Sequence, residues 1–139
     1  MPSSVPIIVA ASPVSVDSPA DGETLVAVLD GVCYDEQLSA GLIQANVLCL
    51  ANADASACTI RLYRGATAAG VFLSGFVASS TLIGTGENAW VPVSWVDVVP
   101  PSADVAYCIT AQYTDASGVS NTSVLAFTVT TFPGAVNAF

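Results

Sequence analysis

Apolar and polar residues alternate with a period of two between positions 104 and 114, which is the clearest pattern in the chain. Such alternation, rich in β-branched and aromatic residues, is typical of a β-strand with one face in a core. The positions predicted to face that core are Val105, Tyr107, Ile109, Ala111 and Tyr113. An earlier strand through Val91, Val93 and Trp95 ends at a Pro-Pro corner, because proline cannot donate a ladder hydrogen bond.

Similar short patterns recur along the chain, separated by turn residues at spacings of roughly 8–12 residues. Further strands are predicted at 24–29, 42–50, 58–64 and 123–131, with Leu125, Phe127 and Val129 on the core face, and residues 71–74 and 76–83 are predicted to form one or two strands interrupted at Gly75. Asp30-Gly31 is expected to form a turn, and residues 35–37 a helical turn. About eight or nine short strands predict an all-β, antiparallel β-sandwich, and a jelly roll in particular.

Residues 1–23 differ from the rest because four prolines favour extended backbone over helix. We predict that they form an extended N-terminal arm and that residues 24–139 form the β-sandwich domain. Two arrangements are open: the arm adds to the edge of another sheet, or it lies as the first strand of its own domain. The arm residues expected to contact a partner are Val5, Ile7, Ile8 and Val9.

Composition indicates that the chain associates with copies of itself or with a partner. Hydrophobic residues make up 53% of the chain and charged residues only 9%, which is too apolar to leave every sheet face in water. Arg61 and Tyr63 fall opposite the core-facing positions of their strand. With Trp90 and Cys108, they are the candidate residues for a subunit interface.

The charge balance argues against nucleic acid and membrane surfaces as partners. The chain has no lysine, two arginines and a net charge of −9, whereas phosphate and anionic lipid are bound by clustered cations. No apolar run reaches the roughly 18 residues of a membrane span. The first residues lack the basic segment of a signal peptide, and we expect a virion component that is released by lysis.

The four cysteines permit a disulfide without identifying one. Cys49 and Cys58 flank a predicted hairpin loop, residues 50–57, and could lie opposite each other across it, in which case a disulfide between them is possible. The other interpretation is that all four are buried free thiols that behave as small apolar residues. Zinc is not expected, because the chain has neither histidine nor a Cys-x-x-Cys pair.

No pattern for catalysis is found in the sequence. Without histidine, neither a Ser-His-Asp nor a Cys-His arrangement can be built. Gly84-Thr85-Gly86 lacks the lysine of a phosphate-binding loop, and no Asp-x-Asp-x-Asp calcium motif is present. We therefore expect no enzyme activity, no catalytic residue, no metal and no cofactor.

Two segments carry a resemblance to known proteins. Cys58-Thr-Ile-Arg-Leu-Tyr-Arg-Gly65 and Trp95-Val-Asp-Val-Val-Pro-Pro-Ser-Ala-Asp-Val-Ala-Tyr107 resemble jelly-roll domains of phage and other viral structural proteins, which are similar to tumour-necrosis-factor-like trimers. The resemblance implies a homotrimer that decorates or cements a capsid. Its partners would be the major capsid protein or other virion subunits, at the capsid surface.

A second resemblance leads to an alternative function. Tyr107-x-Ile109-x-Ala111, followed by Gly118-Val-Ser120 and Ser123, is similar to the last two strands of fibronectin type III modules. Asp104-Val-Ala-Tyr-Cys108 resembles a corner of immunoglobulin-like modules. The chain departs from the immunoglobulin pattern because Tyr107 and Cys108 are adjacent, without the usual residue between them. This resemblance implies a binding module, immunoglobulin-like or carbohydrate-binding, displayed on the head or tail fibre of a phage particle.

Overall fold

Nine β-strands in two antiparallel sheets make up the part of the chain that the computed structural model describes, which is residues 7–19, 21–52, 54–78, 89–98 and 104–134. The strands are β1 Ile7–Ala10, β2 Val14–Ser18, β3 Thr24–Cys33, β4 Ala40–Leu50, β5 Ala57–Arg64, β6 Val71–Ala78, β7 Ala89–Val98, β8 Asp104–Thr114 and β9 Ser120–Phe132. Within these ranges, no helix has the length and apolar character needed to cross a membrane.

The strand order is that of a jelly roll. The first sheet runs β1-β9-β4-β7, and β2 also pairs with β9, further along the same side. The second sheet runs β3-β8-β5-β6. Because β1 and β2 lie end to end along β9, they act as one interrupted strand, and the two sheets then contribute four strands each, as in a double Greek key. The prediction of an antiparallel jelly-roll sandwich is confirmed.

The described part of the N-terminal segment belongs to the sheet of its own chain. Ile7 lies opposite Thr131, and Val14 lies opposite Val124, both on β9. Of the two arrangements left open by the sequence, residues 7–18 therefore adopt the second. Val5 lies outside the described residues, and the division of the chain after residue 23 stays a prediction.

The core lies between the facing sides of the two sheets. On β8, Tyr107, Ile109, Ala111 and Tyr113 are fully buried, which confirms the face predicted from their alternation. The first sheet contributes residues such as Ile43, also fully buried. Each large apolar side chain buried in this way stabilises the fold by about 1.5–3 kcal/mol relative to an exposed one.

Two local predictions near the start of the domain are wrong. Asp30-Gly31 does not end a strand: β3 continues through it, and a register shift between Leu29 and Val32 absorbs the extra residues, with Gly31 at a φ of 79°. Residues 35–37 form bends rather than a helical turn. Here the Asp35 carboxylate accepts hydrogen bonds from the backbone N–H groups of Gln37 and Leu38, at 2.8 and 2.7 Å.

A β-bulge also changes the predicted core face of β9. Leu125 is 37% exposed although it shares sequence parity with the buried Phe127 and Val129. The intervening Ala126 has a φ of 53°, and the pairing with β4 shifts register between Gln44 and Asn46. The bulge therefore turns Leu125 outward, because the inward positions have one parity before it and the other after it.

Of the one or two strands predicted for residues 71–83, the structure describes one, β6, which continues through Gly75. Residues 79–83 lie outside the described ranges.

Candidate subunit interface

The outward side of the first sheet is an extended surface almost without charge, which we call the uncharged face. It consists of the outward-pointing residues of β1, β2, β4, β7 and β9, and Asp17 at its margin is the one charged residue among those that the structure describes. Its exposed large apolar residues are Ile8, Leu50, Trp90, Val96, Val98 and Leu125.

Strand register aligns these residues into rows across the sheet. One row crosses four strands as Ile8, Thr130, Leu42 and Val96. A second row, near the other end of the sheet, contains Ser15, Ser123, Leu48 and Trp90. Trp90 is 56% exposed, which is unusual for so large an apolar side chain and fits a surface that another molecule covers.

The dimensions of the uncharged face approach those of a subunit contact. Four strands at about 4.8 Å spacing and about ten residues at 3.3 Å rise give roughly 600 Å² in projection. A stable interface needs about 800 Å² per partner in accessible area, which exceeds projected area because side chains stand out from the sheet. The edges of this sheet are poor contacts for another strand, since Pro92 lies within β7 and Pro13 interrupts the opposite edge.

The outward side of the second sheet is different because it carries an ionic cluster. Arg61 Nη1 donates to Gln112 Oε1 at 2.8 Å and lies 3.7 Å from Glu23 Oε2, which also accepts hydrogen bonds from Tyr63 and Thr110 at 2.6 Å each. Partial burial opposes ionisation of Glu23, but the two hydroxyl hydrogen bonds and the Arg61 charge hold its pKa below the usual value. Arg61 and Tyr63 are thus engaged within their own chain.

Cys108 also points to the outward side of the second sheet, where the sequence predicted either cover or a subunit contact. Its strand neighbours are Val28 on β3 and Tyr63 on β5. The side chain is fully buried within the single chain, so it offers no surface to another subunit. Of the four predicted interface residues, Trp90 alone belongs to the uncharged face.

A buried ionic network, which our sequence reasoning missed, links the two sheets at one end of the sandwich. Asp97 on β7 is 4% exposed and accepts hydrogen bonds from Arg64 on β5, at 2.8 Å from Nε and 2.6 Å from Nη2. Tyr107 Oη donates to Asp97 Oδ2 at 2.7 Å, and Tyr34 Oη therefore donates to Tyr107 Oη, also at 2.7 Å. Hydrogen bonding to Asp97 raises the pKa of Arg64, and burial is the main cause that raises the pKa of Tyr107.

The sequence did contain a signal for this network. Arg64 has the same parity as the core-facing Cys58, Ile60 and Leu62, and Asp97 has the same parity as Val91 and Val93. A basic and an acidic residue at core-facing positions of two strands need a partner, because an isolated charge in a core is very unfavourable.

The predicted cysteine pair lies at the end of the sandwich opposite this ionic network. Cys49 on β4 and Cys58 on β5 are both fully buried, and their Sγ atoms are 3.1 Å apart. The two residues lie in different sheets, so the segment between them crosses the sandwich rather than forming a hairpin. Within the described ranges, no His, Cys, Asp and Glu residues are grouped as three or more potential metal ligands.

Comparison with known proteins shows the fold. Neither a family model nor a curated protein matches the sequence. Among solved structures, infectious bursal disease virus of the Gt strain matches 95% of this chain with a TM-score of 0.59 and 10% identity, and the Gx strain matches 96% with a TM-score of 0.60 and 10% identity. The VP2 subviral particle of the same virus matches 95% with a TM-score of 0.58 and 11% identity.

The chain spans about a third of the length of these viral proteins, 33% or 34%. At 10–11% identity the likeness concerns the course of the backbone rather than particular side chains. A likeness to murine APRIL has a TM-score of only 0.39. The jelly-roll architecture expected from the sequence is therefore supported by the better matches.

Proposed function

We propose that this chain is a structural protein of a virion, a decoration or cement protein of the capsid surface that associates with copies of itself through the uncharged face. The uncharged face is the observation that carries the proposal, because an exposed apolar sheet of this extent favours contact with another surface. The likeness of the fold to infectious bursal disease virus structures supports a role in a particle.

A second copy of the chain can meet this one at the uncharged face without repulsion between carboxylates at the contact. Each copy carries a net charge of −9, so two copies repel each other wherever their carboxylates approach. On the uncharged face, contact between copies removes Trp90, Val96 and their neighbours from water without burying an ionised group. We propose that the assembly is the trimer implied by the sequence resemblance.

The N-terminal residues would contribute side chains rather than a released strand. Ile7 and Ile8 are 55% and 66% exposed while their backbone pairs with β9, and Val9 is half-buried. We propose that these residues contact a neighbouring virion subunit, such as the major capsid protein, from the edge of the first sheet. Deleting them would remove part of the jelly roll, so their role is better tested by replacing Ile7 alone, which lies opposite the buried Thr131 and outside the uncharged face.

Light scattering of the purified protein tests the self-association. We expect a mass of about 42 kDa, three times the 14.0 kDa of one chain. Trp90→Glu and Val96→Glu should lower it to that of one chain, since each places a carboxylate at the proposed contact. Val77→Glu is the matched control, because Val77 is 66% exposed but lies on β6 of the other sheet. A folded monomeric wild type, or equal effects of all three variants, would remove the uncharged face from the proposal.

Sedimentation with empty shells, assembled from the capsid protein encoded in the same genome, tests the decoration role. We expect the wild type to sediment with the shells and Ile7→Lys to bind them at least about ten-fold more weakly, a loss of about 1.4 kcal/mol. If the wild type stays in the supernatant, the decoration role is lost even where the protein self-associates.

The alternative, a carbohydrate-binding module displayed on a particle, is favoured by the exposure of Trp90 and Trp95, 56% and 38%. The two have opposite parity on β7 and therefore lie on opposite sides of that strand, so they do not form one stacking platform. Quenching of tryptophan fluorescence by glycans, lost in Trp90→Ala, would favour this alternative over self-association.

A further inference from the structure

We propose that Cys49 and Cys58 are a covalent cross-link site, at which a disulfide joins β4 of the first sheet to β5 of the second. The inference does not depend on the proposed function. It rests on the approach of two sulfur atoms in the interior and on the position of the two residues in the fold.

The Sγ atoms of the two cysteines are already near bonding distance. The Sγ atoms are 3.1 Å apart, which exceeds a disulfide bond by about 1 Å. Both cysteines are fully buried, and each lies one residue from the end of its strand that adjoins the crossing between the sheets. A small movement of the two strand ends is therefore sufficient for the bond, and no side chain separates the sulfurs.

The pairing is selective among the four cysteines. Cys33 is exposed, and Cys108 is buried on the outward side of the second sheet, so neither faces the interior where Cys49 and Cys58 meet. A hydrogen bond to Asp104 raises the pKa of Cys33, and burial with the nearby Glu23 charge raises the pKa of Cys108 to about 11. Both thiols are thus disfavoured as attacking thiolates once the chain is folded.

The two thiols interact directly in the folded chain. The hydrogen bond from Cys58 Sγ to Cys49 Sγ lowers the pKa of Cys49 and raises that of Cys58. Either cysteine can make the first attack during folding, and the other then resolves the intermediate.

The oxidant would be a small-molecule disulfide such as oxidised glutathione. One of the two cysteines, as a thiolate, attacks one of its sulfurs and releases one glutathione thiolate, and a mixed disulfide forms. The other cysteine then loses its proton and attacks the protein sulfur of the mixed disulfide, which releases the second glutathione. In sum, two protein thiols lose two electrons and two protons, and one glutathione disulfide becomes two glutathione thiols. Because both sulfurs are buried, exchange takes place while the sandwich is folding.

Peptide mapping after refolding in a glutathione redox buffer tests the cross-link. Cleavage before aspartate separates the four cysteines, because Cys33 falls in residues 30–34, Cys49 in 35–53, Cys58 in 54–96 and Cys108 in 104–114. We expect peptides 35–53 and 54–96 to be joined, two alkylated thiols instead of four, and a loss of about 2 Da in intact mass. Reduction should restore four alkylated thiols.

Three variants identify the pair, so the result does not depend on whether any single one of them folds. Cys33→Ser, at an exposed position, should leave the cross-link unchanged, whereas Cys49→Ala and Cys58→Ala should each abolish it. The wild-type map alone also decides the question. Folded protein with four alkylated thiols after equilibration with oxidised glutathione would overturn the proposal, as would joining of peptide 30–34 or 104–114 in place of the expected pair.

Discussion

Removing the charge of Asp97 should weaken the fold strongly. Its carboxylate is 4% exposed and accepts hydrogen bonds from Arg64 and Tyr107, so Asp97→Asn leaves a guanidinium between the sheets without its counter-ion. Breaking a buried ion pair by removing one partner costs about 3–5 kcal/mol. Because the Arg64 side chain is 25% exposed and water compensates part of its charge, we expect the lower end, about 3 kcal/mol.

Removing the charge of the partner, Arg64, should cost at least as much stability. Arg64→Met leaves the more deeply buried partner, the Asp97 carboxylate, with a hydroxyl donor but no positive charge. We expect a loss of about 4 kcal/mol from this variant. The double variant should lose less than the sum of the two, since neither charge then remains, and the coupling should be about 2 kcal/mol.

Urea unfolding, followed by tryptophan fluorescence and far-ultraviolet circular dichroism, measures these free energies. With a slope of about 1.5 kcal/mol per molar, a loss of 3 kcal/mol lowers the midpoint by about 2 M. Glu23→Gln is the matched control, because its ion pair with Arg61 is partly exposed, 28% and 29%, and should contribute less than about 1 kcal/mol. Losses below 1 kcal/mol in both single variants at Asp97 and Arg64, with no coupling, would refute the reasoning.

Three further changes test other parts of the structure. Gly41→Ala should lower Tm by about 10 °C, because a Cβ there overlaps the Tyr34 hydroxyl, and Tyr34→Phe in the same chain should recover part of the loss. Burial raises the pKa of Tyr34, Tyr107 and Tyr113 above the ordinary value of 10.0. Their contribution to stability is therefore complete below pH 10, and at higher pH the free energy of unfolding falls by up to about 4 kcal/mol per pH unit. Phenolate absorbance should then appear together with loss of the circular dichroism signal. Phenolate formation in the folded state would contradict this expectation. Asp35→Ala should cost about 1 kcal/mol in urea unfolding, since two backbone N–H groups lose their acceptor, whereas an unchanged midpoint would mean that water replaces it.

Alternation in the sequence was sufficient to predict strands and most of their core faces. The pattern from Val105 to Tyr113 carries the information in itself, because a strand with one buried face must alternate. Prediction failed where the backbone departs from regular alternation: the bulge at Ala126 turns Leu125 outward, and the bulge around Gly31 keeps β3 continuous. A bulge depends on the strand opposite, which sequence order does not identify.

The candidate site was harder to predict because it is a property of the sheet rather than of one strand. Trp90 could be selected for its size, but the row that joins Ile8 to Val96 exists only through the pairing of β1, β9, β4 and β7. Arg61 was selected by parity alone, and parity does not show that Glu23 lies 3.7 Å away and engages it. Contacts between residues distant in sequence therefore determine which outward positions are available for a subunit contact.

Pairing between strands that are distant in sequence also explains why the outward side of the first sheet carries almost no charge. The two sheets are held together by polar contacts at opposite ends: Asp97 with Arg64 at one end, and Cys49 with Cys58 at the other. Between these ends the core is apolar, with Ile43 as one fully buried member. Charge and sulfur thus act inside the sandwich, where they fix which strands face each other, and the outward side of the first sheet needs no ion pair of its own. A face free of charge can be covered by another surface without the desolvation of ions, which is the physical condition that a close subunit contact requires.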